Sequence, residues 1–160
     1  MYTFSARSRY NLLECHPDLM RLAQSALWKS FRLRHYDFGI SDGGRWLSEQ
    51  KLLKASGASK TLKSRHRFAY PLRKNGTKNG HFKSPVSHAF DFYIVINGKA
   101  RWEEQLYIDL WRAVWIPTAQ QLGIKIGGGY YWKWDYGHIQ LSWKHYPARY
   151  AEEPTTVRAA

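Results

Sequence analysis

Between Phe90 and Ile96 the chain keeps a strict two-residue rhythm. Phe90, Phe92, Ile94 and Ile96 fall on one side, Asp91, Tyr93 and Val95 on the other. Alternation of this strength predicts a β-strand with one face in the core, and Asn97-Gly98 turns the chain after it. Asp91 then stands on the opposite face at the start of an apolar strand. A carboxylate there is costly unless something pairs with it.

Other segments read around this strand. His16-Pro17-Asp18 is a helix start, with proline early and an acid in the first turn, and Leu19, Leu22, Ala23, Ala26 and Leu27 continue as one apolar stripe. Tyr36, Phe38 and Ile40 predict a short strand before the turn Ser41–Gly44. A second helix is expected over Leu47–Ala55, closed by Gly57. Phe68–Val86 reads as loop or hairpin, with Asn75-Gly76 and Asn79-Gly80 as turn signals. A third helix is expected from about Trp102 to Gln121, disturbed at Pro117 and stopped by Gly123. Gly127–Gly129 reads as a loop. His138–Trp143 reads as a last strand, with Ile139, Leu141 and Trp143 on one face and His138, Gln140 and Ser142 on the other. The polar tail after Tyr146 is expected to fray. Helices and strands with long irregular connections, and no repeat, fit a compact α+β domain.

Length and composition agree. A chain of 160 residues buries a full core as one domain. Its aromatic content of 16% excludes disorder of the whole. The single cysteine, Cys15, excludes a disulfide scaffold and reads as a buried small hydrophobe. No apolar run approaches the roughly 20 residues of a spanning helix. The N-terminus lacks the pattern of a secretory signal, so synthesis in the cytoplasm is expected.

Charge is strong and uneven. The chain carries 25 Lys+Arg against 12 Asp+Glu, a formal net charge of +13. Residues 1–90 hold 17 basic and 5 acidic side chains, and between Gln50 and Phe90 ten basic residues stand with no acid. Such a patch fits a polyanion: nucleic acid, anionic lipid or a phosphate-rich envelope. A solvated face that only aids solubility is the plainer reading.

Candidate chemistry lies at the strand starts. His66, Asp91 and His138 come from three separate elements. Two imidazoles and a carboxylate make a zinc site with an open fourth position, as hydrolytic zinc needs. Asp135, three residues before His138, is a carboxylate placed to take a proton from water. Spacing alone does not make these residues meet, and His16, His35, His81, His88 and His145 compete with them.

A resemblance orders these candidates. Ser64-Arg65-His66, Ser87-His88-Ala89-Phe90-Asp91-Phe92 and Trp134-Asp135-Tyr136-Gly137-His138-Ile139 occur in that order, with Gly127–Gly129 before the last string. Phe4–Ser8, Gly44-Arg45, Glu49-Gln50 and Ser56–Thr61 lie upstream. Together, over about residues 4–143, they resemble the zinc D-alanyl-D-alanine carboxypeptidase and L-alanyl-D-glutamate endopeptidase family, which includes phage endolysins. The resemblance implies a hedgehog/D,D-peptidase-like α+β fold with a small antiparallel sheet and flanking helices. The peptidase domain would cover residues 1–146 and the tail 147–160. His66, Asp91 and His138 would be zinc ligands, Asp135 the general base, and Arg45 a residue that binds substrate or steadies the developing oxyanion. Arg45 as a structural salt bridge near a turn is the plainer alternative.

One departure stands out. His66 and Asp91 are separated by 24 residues where the family pattern has six, implying a basic insertion at about 67–84. Such an insertion is either a hairpin flap beside the cleft or a tolerated surface loop. It also leaves His81 and His88 as alternatives to His66. The Ser-x-His string favours His66, and three residues from Asp91 on a strand His88 faces the other way.

The resulting expectation is a zinc-dependent peptidoglycan endopeptidase of endolysin type. It would be a monomer, made in the host cytoplasm, that cuts the L-Ala–D-Glu bond of the stem peptide after the membrane is permeabilised. Its basic surface would meet an anionic envelope rather than a stable nucleic-acid partner. A D,D-carboxypeptidase with the same zinc site is the nearest alternative, and a basic nucleic-acid-binding module the rival of another class.

Overall fold

Helices begin where the sequence supplies caps. In the computed structural model, which describes residues 1–77 and 79–155, the Ser8 amide donates to Ser5 Oγ at 3.1 Å and opens α1 (Ala6–Leu13). This helix has no strong apolar stripe, burying only Ser8 and Leu12. It is held instead by polar contacts to the first strand. The Ile40 amide donates to Ser8 Oγ, and the Asn11 side chain donates to the Ile40 carbonyl, both at 3.0 Å. The α2 helix (Pro17–Arg32) follows the sequence reading. His16 Nδ1 accepts the Asp18 amide at 3.1 Å, and the expected leucine and alanine stripe is buried.

Strand β1 (Asp37–Asp42) and helix α3 (Leu47–Ala55) come next. They are followed by β2 (Ala69–Pro71), β3 (Ala89–Ile96) and β4 (Lys99–Arg101). The third predicted helix is α4 (Glu104–Leu110), a π-helical stretch (Trp111–Trp115) and α5 (Ile116–Leu122), ended by Gly123 at φ 70°. The disturbance expected at Pro117 thus sits in the turn before it. Proline lacks the N–H of the ordinary ladder and crowds the carbonyl four residues back, and the Ile116 amide reaches Trp111 O instead. The chain ends in β5 (Ile126–Gly128), α6 (Gly129–Trp132), β6 (His138–Leu141) and β7 (Ala148–Tyr150).

The main sheet runs β1-β3-β6-β5 with β4 added beside β3, every pair antiparallel. Phe90, Phe92 and Ile94 of β3 are fully buried, as their alternation predicts, with Phe38, Ile40, Ile139 and Leu141 beside them. Trp115 lies 4.7–5.6 Å from the rings of Phe38, Phe90 and Phe92, joining the long helix to the sheet. Cys15 is buried in the same core. A small antiparallel sheet with helices against its apolar face makes this a single α+β domain, as expected.

Three local expectations fail. Gly127 and Gly128 belong to strand β5, because their backbone pairs with β6. Trp143 lies beyond the end of β6 and is 48% exposed, because the chain turns at Ser142 and takes the indole off the core face. The frayed tail does not begin at Pro147, since β7 pairs with β2. That pairing also ties down the 67–84 insertion, whose Arg67 guanidinium lies 3.9 Å above the Tyr150 ring. Residues 156–160 of the expected tail and Lys78 of the insertion lie outside the described residues.

Candidate metal centre and active-site cleft

Antiparallel register makes Asp91 and His138 direct cross-strand partners on the sheet face away from the core. His66 reaches them from the loop after α3. Its segment runs alongside Arg45, whose amide donates to His66 O at 3.0 Å. The result is a cluster of three ligand atoms. His66 Nε2 lies 3.1 Å from His138 Nδ1 and 3.2 Å from Asp91 Oδ1, and the last two are 2.9 Å apart. It is the group of metal-ligating side chains found among the described residues.

The outward nitrogens fix what the inward ones offer. His66 Nδ1 lies 2.7 Å from the Gly43 carbonyl, an acceptor, so Nδ1 carries the proton and Nε2 turns a lone pair inward. His138 Nε2 lies 3.2 Å from Gln140 Oε1, which assigns its proton there and leaves the Nδ1 lone pair facing the cluster. Two lone pairs and a carboxylate oxygen crowded together repel one another unless a cation sits among them. A tetrahedral ion with bonds of about 2.0–2.1 Å holds its ligands about 3.3 Å apart, close to the separations seen. The donor set therefore fits zinc, and Gly43 and Gln140 orient the imidazoles as outer partners of ligating histidines do.

Where a proton rather than a cation occupies the cluster, the same three side chains pair as base and acid. Burial alone would raise the Asp91 carboxyl, but the positive potential and hydrogen bonds of His66 and His138 hold it well below the usual carboxylate range. Burial works most strongly against a charged His138, but the bond to and charge of Asp91, with Gln140 and Asp135, together outweigh it and raise the group.

All five residues singled out from the sequence line one open cleft of about 890 Å³. Asp135 belongs to the turn before β6 and has left-handed backbone (φ 53°), and its carbonyl accepts the His138 amide at 2.9 Å. Desolvation in the cleft, with the charge of Asp91, raises its carboxyl above the ordinary value. Gly129 permits this turn, for a Cβ there would lie 1.8 Å from the Asp135 carbonyl oxygen. Arg45 is largely buried. It forms an ion pair with Asp42, lies 3.3 Å from Gln50 Oε1 and 3.8 Å from Asp91 Oδ2.

The rival histidines are elsewhere. His88 is buried beside His16, ring centres 5.4 Å apart, and His81 is exposed. No described residue of the 67–84 insertion lines the cleft. Besides Arg45, the basic residues lining it are the exposed Lys60 and Lys63 and the buried Arg65.

Sequence reasoning missed the outer partners Gly43 and Gln140 and the aromatic wall. Trp132 stacks on His138 with ring centres 5.3 Å apart, Trp134 lies 5.7 Å from Trp132, and Trp143 carries the Arg65 guanidinium at 4.3 Å. The Trp-Lys-Trp-Asp string was the available signal for the first two.

Comparison with known proteins agrees with this geometry. The crystal structure of Serratia marcescens L-Ala D-Glu endopeptidase ChiX is similar, with TM-score 0.67 and 31% sequence identity, covering 89% of this chain and 92% of that one. No curated protein sequence matches. The family model described as phage L-alanyl-D-glutamate peptidase matches residues 1–140, and the chain belongs to that family.

Proposed function

We propose that this member of the family is a zinc-dependent endolysin that hydrolyses the L-Ala–D-Glu bond of the peptidoglycan stem peptide. The observation that carries the zinc reading is the trio of converging ligand atoms, with the outer nitrogens of both histidines engaged by Gly43 and Gln140.

His66, Asp91 and His138 are the residues that would hold the ion. Bound there, zinc supplies a Lewis acid for the scissile carbonyl and lowers the pKa of a water towards 7. The chain's own groups do the rest. Asp135 takes the proton of the attacking water as the new C–O bond forms, and returns it to the D-Glu nitrogen as the C–N bond breaks. A carboxyl raised above its ordinary value suits both halves of that transfer. Arg45 brings a permanent positive charge to the same wall, where negative charge building on the scissile oxygen is stabilised. Asp42 and Gln50 hold the guanidinium in place. No helix among the described residues is long and apolar enough to cross a membrane, and access to the wall follows permeabilisation of the membrane by another agent.

The test is mass spectrometry of muropeptides from purified sacculi, with metal analysis of the same preparation. About one zinc per chain and release of stem peptides beginning at D-Glu are expected. Asp135→Ala should slow release by roughly 10²–10⁴-fold, and His138→Ala should lose zinc with activity. Absence of stoichiometric zinc, or variants that cut like the wild type, overturns the reading.

A further inference from the structure

We infer that Trp132 and Trp134 form a saccharide subsite, which takes the muramic sugar that carries the stem peptide. The inference rests on the endopeptidase reading above and concerns which form of substrate the cleft prefers.

The first observation is the pairing of two exposed indoles inside the cleft, whereas the exposed Trp28 and Trp102 lie outside its lining. Trp111 and Trp115 are fully buried, as large apolar rings should be, whereas Trp132 is 40% and Trp134 52% exposed. Their ring centres are 5.7 Å apart with planes tilted by 32°, and both line the cleft. Neighbouring aromatic faces left open to water in a cleft are a binding feature rather than core.

The second observation is how they are displayed. Lys133 and Asp135 both have left-handed backbone, at φ 61° and 53°. Non-glycine residues adopt this conformation at a cost, and such strain gathers where a site must be shaped. Here the contorted turn puts two indoles side by side on the wall next to His138.

The third is distance. In peptidoglycan the L-Ala nitrogen is acylated by the lactyl group of the muramic sugar. One chain residue spans at most about 3.6 Å, so the sugar ring must lie within roughly 10 Å of the attacked L-Ala carbonyl. The Trp132 ring starts 5.3 Å from that of His138, and Trp134 continues outward from it. A pyranose presents C–H bonds along its face, which suit the electron-rich face of an indole. Lys60 Nζ lies over the Trp134 ring, 5.2 Å from its centre, on an exposed and flexible stem, and offers a donor for hydroxyl or acetamido oxygen of a sugar at that face.

The experiment compares kcat/KM for two soluble substrates, the N-acetylmuramyl stem peptide and the same peptide carrying only an N-acetyl group. Both keep the amide before L-Ala, and only one has the sugar. The wild type should prefer the muramyl substrate by about tenfold or more, the size expected for stacking on two aromatic rings. Trp134→Ala should bring the ratio to within about threefold of unity, and Trp134→Tyr should keep most of it. Calorimetry with the peptide-free GlcNAc–MurNAc disaccharide should show binding to the wild type and weaker binding to Trp134→Ala. A variant that merely folds badly lowers both rates and leaves the ratio standing. A wild-type ratio near one, or a ratio unchanged in Trp134→Ala, overturns the subsite. Failure of the wild type on both substrates overturns the endopeptidase reading itself.

Discussion

His16 and His88 are neutral imidazoles enclosed in protein, and they make the fold sensitive to acid. Burial is the main cause in each. It lowers His16 to about 4 and, with the positive charge of Arg65 nearby, lowers His88 to about 3, against an ordinary 6.5. Above pH 6.5 both are neutral folded or unfolded and contribute no pH dependence. Below it the unfolded chain takes up protons that the folded one refuses, so stability falls until the pH reaches the folded values. A tenfold difference in proton affinity between the folded and unfolded chain is worth about 1.4 kcal/mol. Allowing for relaxation around the charges, the loss between pH 6.5 and 4 should be on the order of 3 kcal/mol. Urea titrations of the chelator-treated protein measure it free of any metal contribution. His88→Leu should flatten the slope by about half, and an unchanged slope would refute the account. The ligand triad was legible in the sequence only through the resemblance, since composition offered seven histidines of equal claim. Gly43 was not legible at all, because its role is a carbonyl contact made after folding, which leaves no pattern along the chain. Gln140 was legible as a neighbour of His138 on one strand face, but its bond to the ring was not.

Elements with a strong period were read correctly, and those held by partners far along the chain were not. Strand β3 and helix α2 declare themselves, because burial of one face imposes a two-residue or a 3.6-residue rhythm. Helix α1 buries almost nothing apolar, and β2 and β7 are three residues each, so none of them has a rhythm to read. Yet β7 holds the insertion. The Leu72 amide donates to Pro147 O at 2.8 Å and the Ala151 amide to Phe68 O at 2.9 Å, on either side of the β2–β7 pair. Glu153 extends the tie by accepting from the Ser48 hydroxyl at 2.6 Å. Deleting residues 147–160 should therefore free the 67–86 segment while the main sheet persists. Limited trypsin digestion should then cut after the exposed Arg73 and Lys74 about tenfold faster than in the full chain, the effect of roughly 1.4 kcal/mol less protection against local opening. Equal rates would show that the insertion is ordered without β7.

Folding sorts the basic surplus into two parts with different consequences. Lys60, Lys63 and the buried Arg65 line the cleft together with Asp42, Asp91 and Asp135. Arg73, Lys74 and Lys83 stay exposed on the insertion and do not line the cleft. The outlying charges gain nothing from contact with a small substrate, but they act over a Debye length of about 8–10 Å at 0.10–0.15 M salt. An extended anionic envelope would meet many of them at once. Raising ionic strength to about 1 M shortens that length to about 3 Å. It should therefore slow lysis of permeabilised cells by about tenfold or more, while cleavage of a soluble muropeptide changes less than about threefold. Charge reversal at the insertion, Arg73→Glu with Lys74→Glu, should reduce the salt sensitivity of cell lysis and leave the soluble reaction as sensitive as before. Turbidity clearing and muropeptide release, measured over the same salt series, separate the two effects. Equal salt sensitivity for cells and soluble substrate would mean that the charge of +13 serves solubility alone.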